Sequence, residues 1–214
     1  MARQLNGPLD PISGKAGPLI GRIVDGEGII TGLHKKSNKP PTQKQRDQQL
    51  KWRLVTDLLA YMGNVINIGF ATTKKRVTAM NQAVSYNLTN AITGVSPAFT
   101  LDLVKLSVSR GKLFGLHQLV GGSGDGPSQL KFTWKPQMGA NSTNGSSNDK
   151  LTIVVYDPLT KELVTLIDAT TRSEGEFSVN IPGEFVGSPL HCYLFLRSDT
   201  KVSDSQHIGP VMST

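Results

Sequence analysis

The residues of this 214-residue chain that could do chemistry are few and scattered. Four histidines, His34, His117, His191 and His207, show no metal-ligand spacing, whereas a metal site needs three or four convergent ligands. Cys192 is the single cysteine, which excludes an intrachain disulfide and a cysteine-based zinc site. It lies in His191-Cys192-Tyr193-Leu194-Phe195-Leu196, an alternating strand pattern, and reads as a buried structural thiol. No Gly-x-Ser-x-Gly elbow accompanies the serines. Asp157, Glu162, Glu174 and Glu184 fall in turns or on exposed strand faces, where solvation is their role. Gly121-Gly122-Ser123-Gly124-Asp125-Gly126 has the glycine content of a phosphate loop but lacks the Gly-Lys-Ser/Thr ending and a following helix, so it reads as a flexible inter-strand loop. The expectation is a protein without catalytic residues, metal or cofactor.

Charge is the stronger signal. Residues 1–94 hold 13 Lys or Arg against 5 Asp or Glu, a net of +8, while residues 95–214 hold 10 against 11, a net of −1. The basic residues cluster as Lys35, Lys36, Lys39, Lys44 and Arg46, then Lys51 and Arg53, then Lys74-Lys75-Arg76. These ten are the candidate contacts to a partner or to nucleic acid, because a local positive field attracts phosphates and acidic surfaces. Trp52 is the single aromatic interleaved with them, so base stacking has little support.

Glycine and proline punctuate residues 1–41. Between them, Pro18 to Val24 and Gly28 to Thr31 read as strands joined by Asp25-Gly26, a hairpin signal. A lone hairpin is marginal in water, so Leu19, Ile20, Ile23, Val24, Ile29 and Ile30 must dock on the rest of the fold or on another subunit. Thr42, behind Pro41 and with Gln45 three residues on, predicts a capping box. The helix it opens carries an apolar stripe at Leu50, Leu54, Val55, Leu58, Leu59 and Met62, and its first turns, Gln43 to Gln49, are expected to face solvent or a partner. Val65 to Phe70 reads as a buried loop or strand, and a second helix is expected over Thr73 to Thr93 with Gly94 as its stop. From Phe99 to Val108 the period changes to two, with a bulge at Val104. Further strands are expected at Leu130–Lys135, Lys150–Asp157, Glu162–Ile167, Glu176–Ile181, Leu190–Ser198 and Asp204–Val211. The polar stretch from Gly139 to Asn148 reads as a mobile loop.

The fold expected is α+β: an N-terminal β-hairpin arm over 1–41, a two-helix basic region over 42–98, and an antiparallel immunoglobulin- or fibronectin type III-like β-sandwich over 99–214, with Trp134 and Tyr193 as its core aromatics. No apolar run is long enough to span a membrane, and no secretory signal is visible, which predicts a product cytoplasmic as synthesised; the compartment of action stays open.

Ser13-Gly14-Lys15-Ala16-Gly17, Gly21 and Gly26, Lys36-Ser37-Asn38-Lys39-Pro40-Pro41-Thr42 with Gln45 and Arg46, Asn67-Ile68-Gly69-Phe70, Ala83 to Leu88 through Asn90 to Gly94, Ser109-Arg110-Gly111 and His191-Cys192-Tyr193 together give the sequence a family likeness. In these motifs it resembles a family of functionally uncharacterised proteins of Bacteroidota over nearly its whole length. The resemblance implies kinship and no activity.

Three functions remain open at this stage. The leading expectation is a non-enzymatic, self-assembling structural protein, a homo-oligomer or polymer such as a filament, surface appendage or phage-like particle, with contacts through the arm. The alternative is a nucleic-acid-binding or packaging protein using the basic half. The third is a carbohydrate- or protein-binding module using the loops at Gly121–Gly126 and Gly139–Asn148.

Overall fold

The computed structural model describes residues 12–24, 26–34, 38–71, 77–126, 128–136 and 145–212. The chain divides into two compact units, residues 1–45 with 73–76, and residues 46–72 with 77–214. It is α+β, with three helices and antiparallel sheets.

In the first unit, β1 (Gly14–Ala16), β2 (Leu19–Val24) and β3 (Glu27–Gly32) form an antiparallel sheet in the order β1-β2-β3. The expected hairpin is present, Val24 pairing with Glu27 and Gly26 taking φ +81°. The first strand extends it through Gly14↔Gly21 and Ala16↔Leu19. Gly21 has to be glycine, because a Cβ there would lie 1.9 Å from the Ile12 carbonyl oxygen that crosses over it. Strand alternation puts Leu19, Gly21 and Ile23 on one face, and register adds Gly32, Ile30 and Gly28 beside them. Gly21 is the one buried residue among the described residues of the arm.

The second unit is built on a four-stranded sheet that is buried on both sides. Helix α1 (Gln43–Tyr61) opens with the predicted capping box: the Thr42 N–H donates to Gln45 Oε1 at 2.9 Å and the Gln45 N–H to Thr42 Oγ1 at 3.4 Å. Val65 to Phe70, expected as loop or strand, belongs instead to α2 (Gly63–Gly69), with Val65, Ile66 and Gly69 turned inward at helical spacing. The helix expected over 73–93 is the shorter α3 (Ala79–Asn90), capped by Thr78, whose side chain accepts from the Asn81 N–H. Gly94 does not stop that helix. It takes φ +90° inside the hairpin of β4 (Ile92–Val95) and β5 (Ala98–Leu101), where a Cβ would lie 2.3 Å from the Ala98 carbonyl oxygen.

The strand expected over Phe99–Val108 ends at Leu101; the chain to Leu116 is irregular. Its backbone groups bond partly to isolated backbone partners, as Leu113 N–H to the Val202 carbonyl, and partly to side chains. The Leu116 N–H donates to Gln206 Oε1 at 2.6 Å and the Leu116 carbonyl accepts from Gln206 Nε2 at 2.9 Å, so one amide side chain stands in for a strand neighbour.

The remaining strands are β6 (His117–Ser123), β7 (Gln129–Lys135), β8 (Lys150–Asp157), β9 (Glu162–Thr171), β10 (Glu176–Asn180), β11 (Leu190–Arg197) and β12 (Gln206–Val211). They form one three-stranded sheet, β10-β7-β6, and one four-stranded sheet, β12-β11-β8-β9, all neighbours antiparallel. Half of the glycine stretch read as a loop is strand: Gly121-Gly122-Ser123 end β6, while Gly124 to Gly126 lie in the loop that follows. Gly121 lies under the Phe132 ring, where a Cβ would sit 2.7 Å from Cδ1, so close packing and not loop freedom requires the glycine.

The two sheets close on a shared core of Leu130, Phe132 and Trp134 from β7, Val179 from β10, Leu151, Ile153 and Val155 from β8, and Leu190, Cys192, Leu194 and Leu196 from β11. The intervening residues of the same two strands, Val154, Tyr156, Tyr193 and Phe195, point the other way. There they join Val55, Leu59, Met62, Ile66, Ala83 and Val84 of the helices. Tyr193 is therefore a core aromatic of the helix–sheet layer, not of the layer between the sheets. Burial on both faces explains why residues 150–157 and 190–197 are almost uninterruptedly apolar.

Candidate functional site

Of the ten basic candidates, Lys39, Lys44, Arg46, Lys51 and Arg53 are among the described residues. Lys35, Lys36, Lys74, Lys75 and Arg76 lie outside the described residues. On α1, Lys44 and Lys51 are seven residues apart and share a side, as do Arg46 and Arg53, but the two pairs are nearly opposite at 3.6 residues per turn. Lys51 Nζ lies over the Phe99 ring at 4.5 Å, and Arg53 Nε is 3.5 Å from Asp57 Oδ2. The first turns of α1, expected to face solvent or a partner, are exposed except at Asp47, whose Oδ1 accepts from the Ser96 hydroxyl at 2.8 Å. Lys39, Lys44 and Arg46 are exposed.

The six arm candidates separate cleanly by face. Leu19, Ile23 and Ile30 share one face and are 45%, 45% and 57% exposed. Ile20, Val24 and Ile29 lie on the opposite face and are half-buried.

Three of the sequence motifs, those holding Gly69, Asn87 and Ser109-Arg110, meet at one buried polar node. Gly69 packs so tightly that a Cβ would meet the Val108 carbonyl oxygen at 2.3 Å. Its carbonyl accepts from the Arg110 N–H at 3.0 Å and from the Ser109 hydroxyl at 3.2 Å. Asn87, fully buried on α3, bridges to the irregular segment: Nδ2 donates to the Ser107 carbonyl at 2.8 Å and Oδ1 accepts from the Ser107 N–H at 2.8 Å. The Ser109 hydroxyl also reaches the Ser203 carbonyl at 2.6 Å, and the Ser205 hydroxyl accepts from the Val108 N–H at 3.1 Å. At the rim, Arg110 Nη1 pairs with Asp204 Oδ2 at 2.7 Å and its guanidinium covers the Tyr86 ring at 4.7 Å. Apart from the Arg110 contacts at the rim, these hydrogen bonds serve backbone groups outside the strand ladders and so position the segment.

A second buried polar group ties the sheet ends. Arg172, in a short 3-10 turn after β9, donates from Nη2 to Asp149 Oδ2 at 3.0 Å and from Nη1 to the Gly115 carbonyl at 2.9 Å. The Trp134 Nε1–H donates to the Arg172 carbonyl at 2.8 Å.

The sequence gives no hint that two of its histidines meet. His191 Nδ1 and His207 Nε2 are 2.9 Å apart, and the Tyr193 ring lies tilted against His207 with centroids 5.2 Å apart. The ring centroids are 5.1 Å apart, only 2.2 Å more than the nitrogens, so the facing nitrogens lie almost on the line between the rings. That is the geometry of a shared proton, one ring donating and the other accepting, and not of two lone pairs aimed at a common metal. Burial lowers the pKa of both rings, and for His207 the charge of His191 lowers it further against the opposing pull of Asp102. The signal available in sequence was the His191/Tyr193 spacing of two on β11; His207 belongs to another strand.

Cys192 is buried between the sheets, and desolvation pushes its thiol up to about 12, which removes the thiolate a nucleophile needs. Among the described residues no three or more His, Cys, Asp or Glu gather as a metal site. No described helix is long and apolar enough to cross a membrane. His117 begins β6, and the polar loop from Gly139 falls outside the described residues up to 144.

This is an α+β protein whose four-stranded sheet packs helices on one face and a second antiparallel sheet on the other. The chain belongs to a family of unknown function (DUF6266), whose sequence model matches residues 11–209. No curated protein matches it. Among solved structures, the fibronectin type III domain of the human collagen alpha-1(XX) chain aligns at a TM-score of 0.32 and 11% identity, over 47% of this chain and 86% of that one.

Proposed function

We propose that this protein is a non-enzymatic structural subunit that assembles with copies of itself through its N-terminal arm, as in a filament, surface appendage or phage-like particle. The observation that carries the proposal is the arm sheet, which presents Leu19, Ile23 and Ile30 to solvent on one face while burying only Gly21 among its described residues. Three short strands with so little buried apolar area do not account for their own stability, and a second copy supplies the missing burial. Strand β1 is outermost in its sheet, with no second strand neighbour among the described residues, and strand addition there would extend the contact. The unit beyond the arm supports a scaffold role: its densest polar cluster is consumed in backbone hydrogen bonds.

We further infer that residues 117–211 are a fibronectin type III-like sandwich. Lettered A to G in chain order with β9 as C′, the strands give sheets A-B-E and G-F-C-C′, a seven-stranded two-sheet arrangement close to the immunoglobulin pattern.

The test uses the full chain. Light scattering and negative-stain imaging of the wild type should show multimers that grow with concentration. Leu19→Lys, Ile23→Lys and Ile30→Glu together, all on solvent-facing positions, should give monomers with an unchanged circular dichroism spectrum. A wild type that stays monomeric at every concentration overturns the proposal.

A further inference from the structure

A cleft of about 500 Å³ opens beside α1 where it meets the end of β5 and the β8–β9 turn, within the size range of small-molecule sites. Its floor is apolar and fixed: Leu58 and Tyr156 belong to the helix–sheet core, and Leu101 and Leu103 pack against it. Tyr61 stands at the rim, largely exposed.

One charge in the cleft is uncompensated. Asp57, its only carboxylate, is already paired with Arg53 along the helix. Lys161 forms no ion pair among the described residues. Its backbone is held at φ +60°, a conformation rare for a side chain with a Cβ. The turn that holds it is rigid: buried Asp157 accepts from the Leu159 N–H at 2.8 Å and the Thr160 hydroxyl at 3.1 Å, and its carbonyl accepts from the Lys161 N–H at 2.9 Å. The cleft thus combines apolar walls with the side chains of Lys161, whose backbone the turn holds, and of Tyr156, whose hydroxyl pKa burial and the Asp157 charge raise.

We propose that this cleft binds a small apolar monocarboxylate, an aliphatic or aromatic acid, with its carboxylate at Lys161 and its tail on Leu58, Leu101 and Leu103. A single cation suits a single negative charge; a phosphate would need more donors than the cleft presents. The inference goes beyond assembly and does not depend on it.

Octanoate and phenylacetate are the probes, titrated into the full-length protein by calorimetry and by amide chemical shifts, with octylamine and octanol as tail-matched controls. Both acids should bind saturably and shift the amides of residues 157–161, and the controls should bind at least about tenfold more weakly. Lys161→Gly relieves the backbone and preserves the fold, and should weaken octanoate by about tenfold or more. Ala60→Trp, at an exposed position of the cleft wall, should abolish binding. Absence of saturable binding up to ~10 mM, octylamine binding as tightly as octanoate, or wild-type affinity in Lys161→Gly overturns the proposal. Light scattering on the same samples reads assembly separately, so either proposal can fail alone.

Discussion

Arg172 and Asp149 form an ion pair that is almost entirely removed from water, their side chains 5% and 2% exposed. The pair is satisfied on all sides. Asp149 Oδ2 also accepts the Ser146 N–H at 2.8 Å, and the guanidinium caps the carbonyls of Phe114 and Gly115, which belong to the irregular segment and have no strand partner. One side chain thereby fastens residues 114–115 and 149 to the end of β9.

Removing one partner is predicted to be costly. Arg172→Ala strands a buried carboxylate and two carbonyls and should destabilise by about 3–5 kcal/mol, read as a lower urea midpoint at unchanged slope. Arg172→Met combined with Asp149→Leu should recover part of that loss, since the charge left unpaired is gone. A double variant no better than the single one would show that the carbonyl caps, not the charge pair, dominate.

Gly69→Ala is predicted to destabilise by about 1–3 kcal/mol, because a methyl group 2.3 Å from the Val108 oxygen forces α2 off the polar node. Gly63→Ala in the same helix meets nothing within 4 Å and should be neutral or stabilising. Thermal melts of the two variants side by side make the comparison.

Acid should loosen β12. Both paired histidines have folded-state pKa values below the ordinary histidine value, so the unfolded chain binds more protons and stability falls as pH drops through and below about 6.5. Above that value both rings are neutral and the contribution is fully present. Melting temperatures measured from pH 8 to 5 should fall more steeply in the wild type than in His191→Asn with His207→Asn, and amide exchange at acid pH should rise first in 206–211.

Cys192 should be silent towards a disulfide reagent at pH 8 in the native protein and should react stoichiometrically in denaturant, because burial holds the thiol protonated. Labelling of the native protein at a rate independent of denaturant would contradict the buried placement.

Local signals were legible in the sequence because local physics enforces them. Thr42 and Gln45 satisfy each other's helix end within three residues. Asp25-Gly26 predicts the hairpin that register Val24↔Glu27 closes. β8 begins and ends where the apolar run does, at Lys150 and Asp157. The failures are non-local. Asn67-Ile68-Gly69-Phe70 is too short to separate helix from strand by period, and its helical state follows from packing under Val108 and Ser109. Gly121 resembles a loop glycine until Phe132, eleven residues away, is placed above it.

The sequence by itself determined the class of α1, α3 and β7 to β12, though not of β6, together with the glycine turns of the arm, the charge asymmetry and the inertness of Cys192, all properties of neighbours within a few residues or of composition. Tertiary structure decided which surfaces those elements meet. It set the helices against β8 and β11, brought His191 to His207, gathered Gly69, Asn87, Ser107, Ser109 and Ser205 into one node, and left Leu19, Ile23 and Ile30 in water. Each of these depends on chain closure over many residues, and period and propensity carry no information about it.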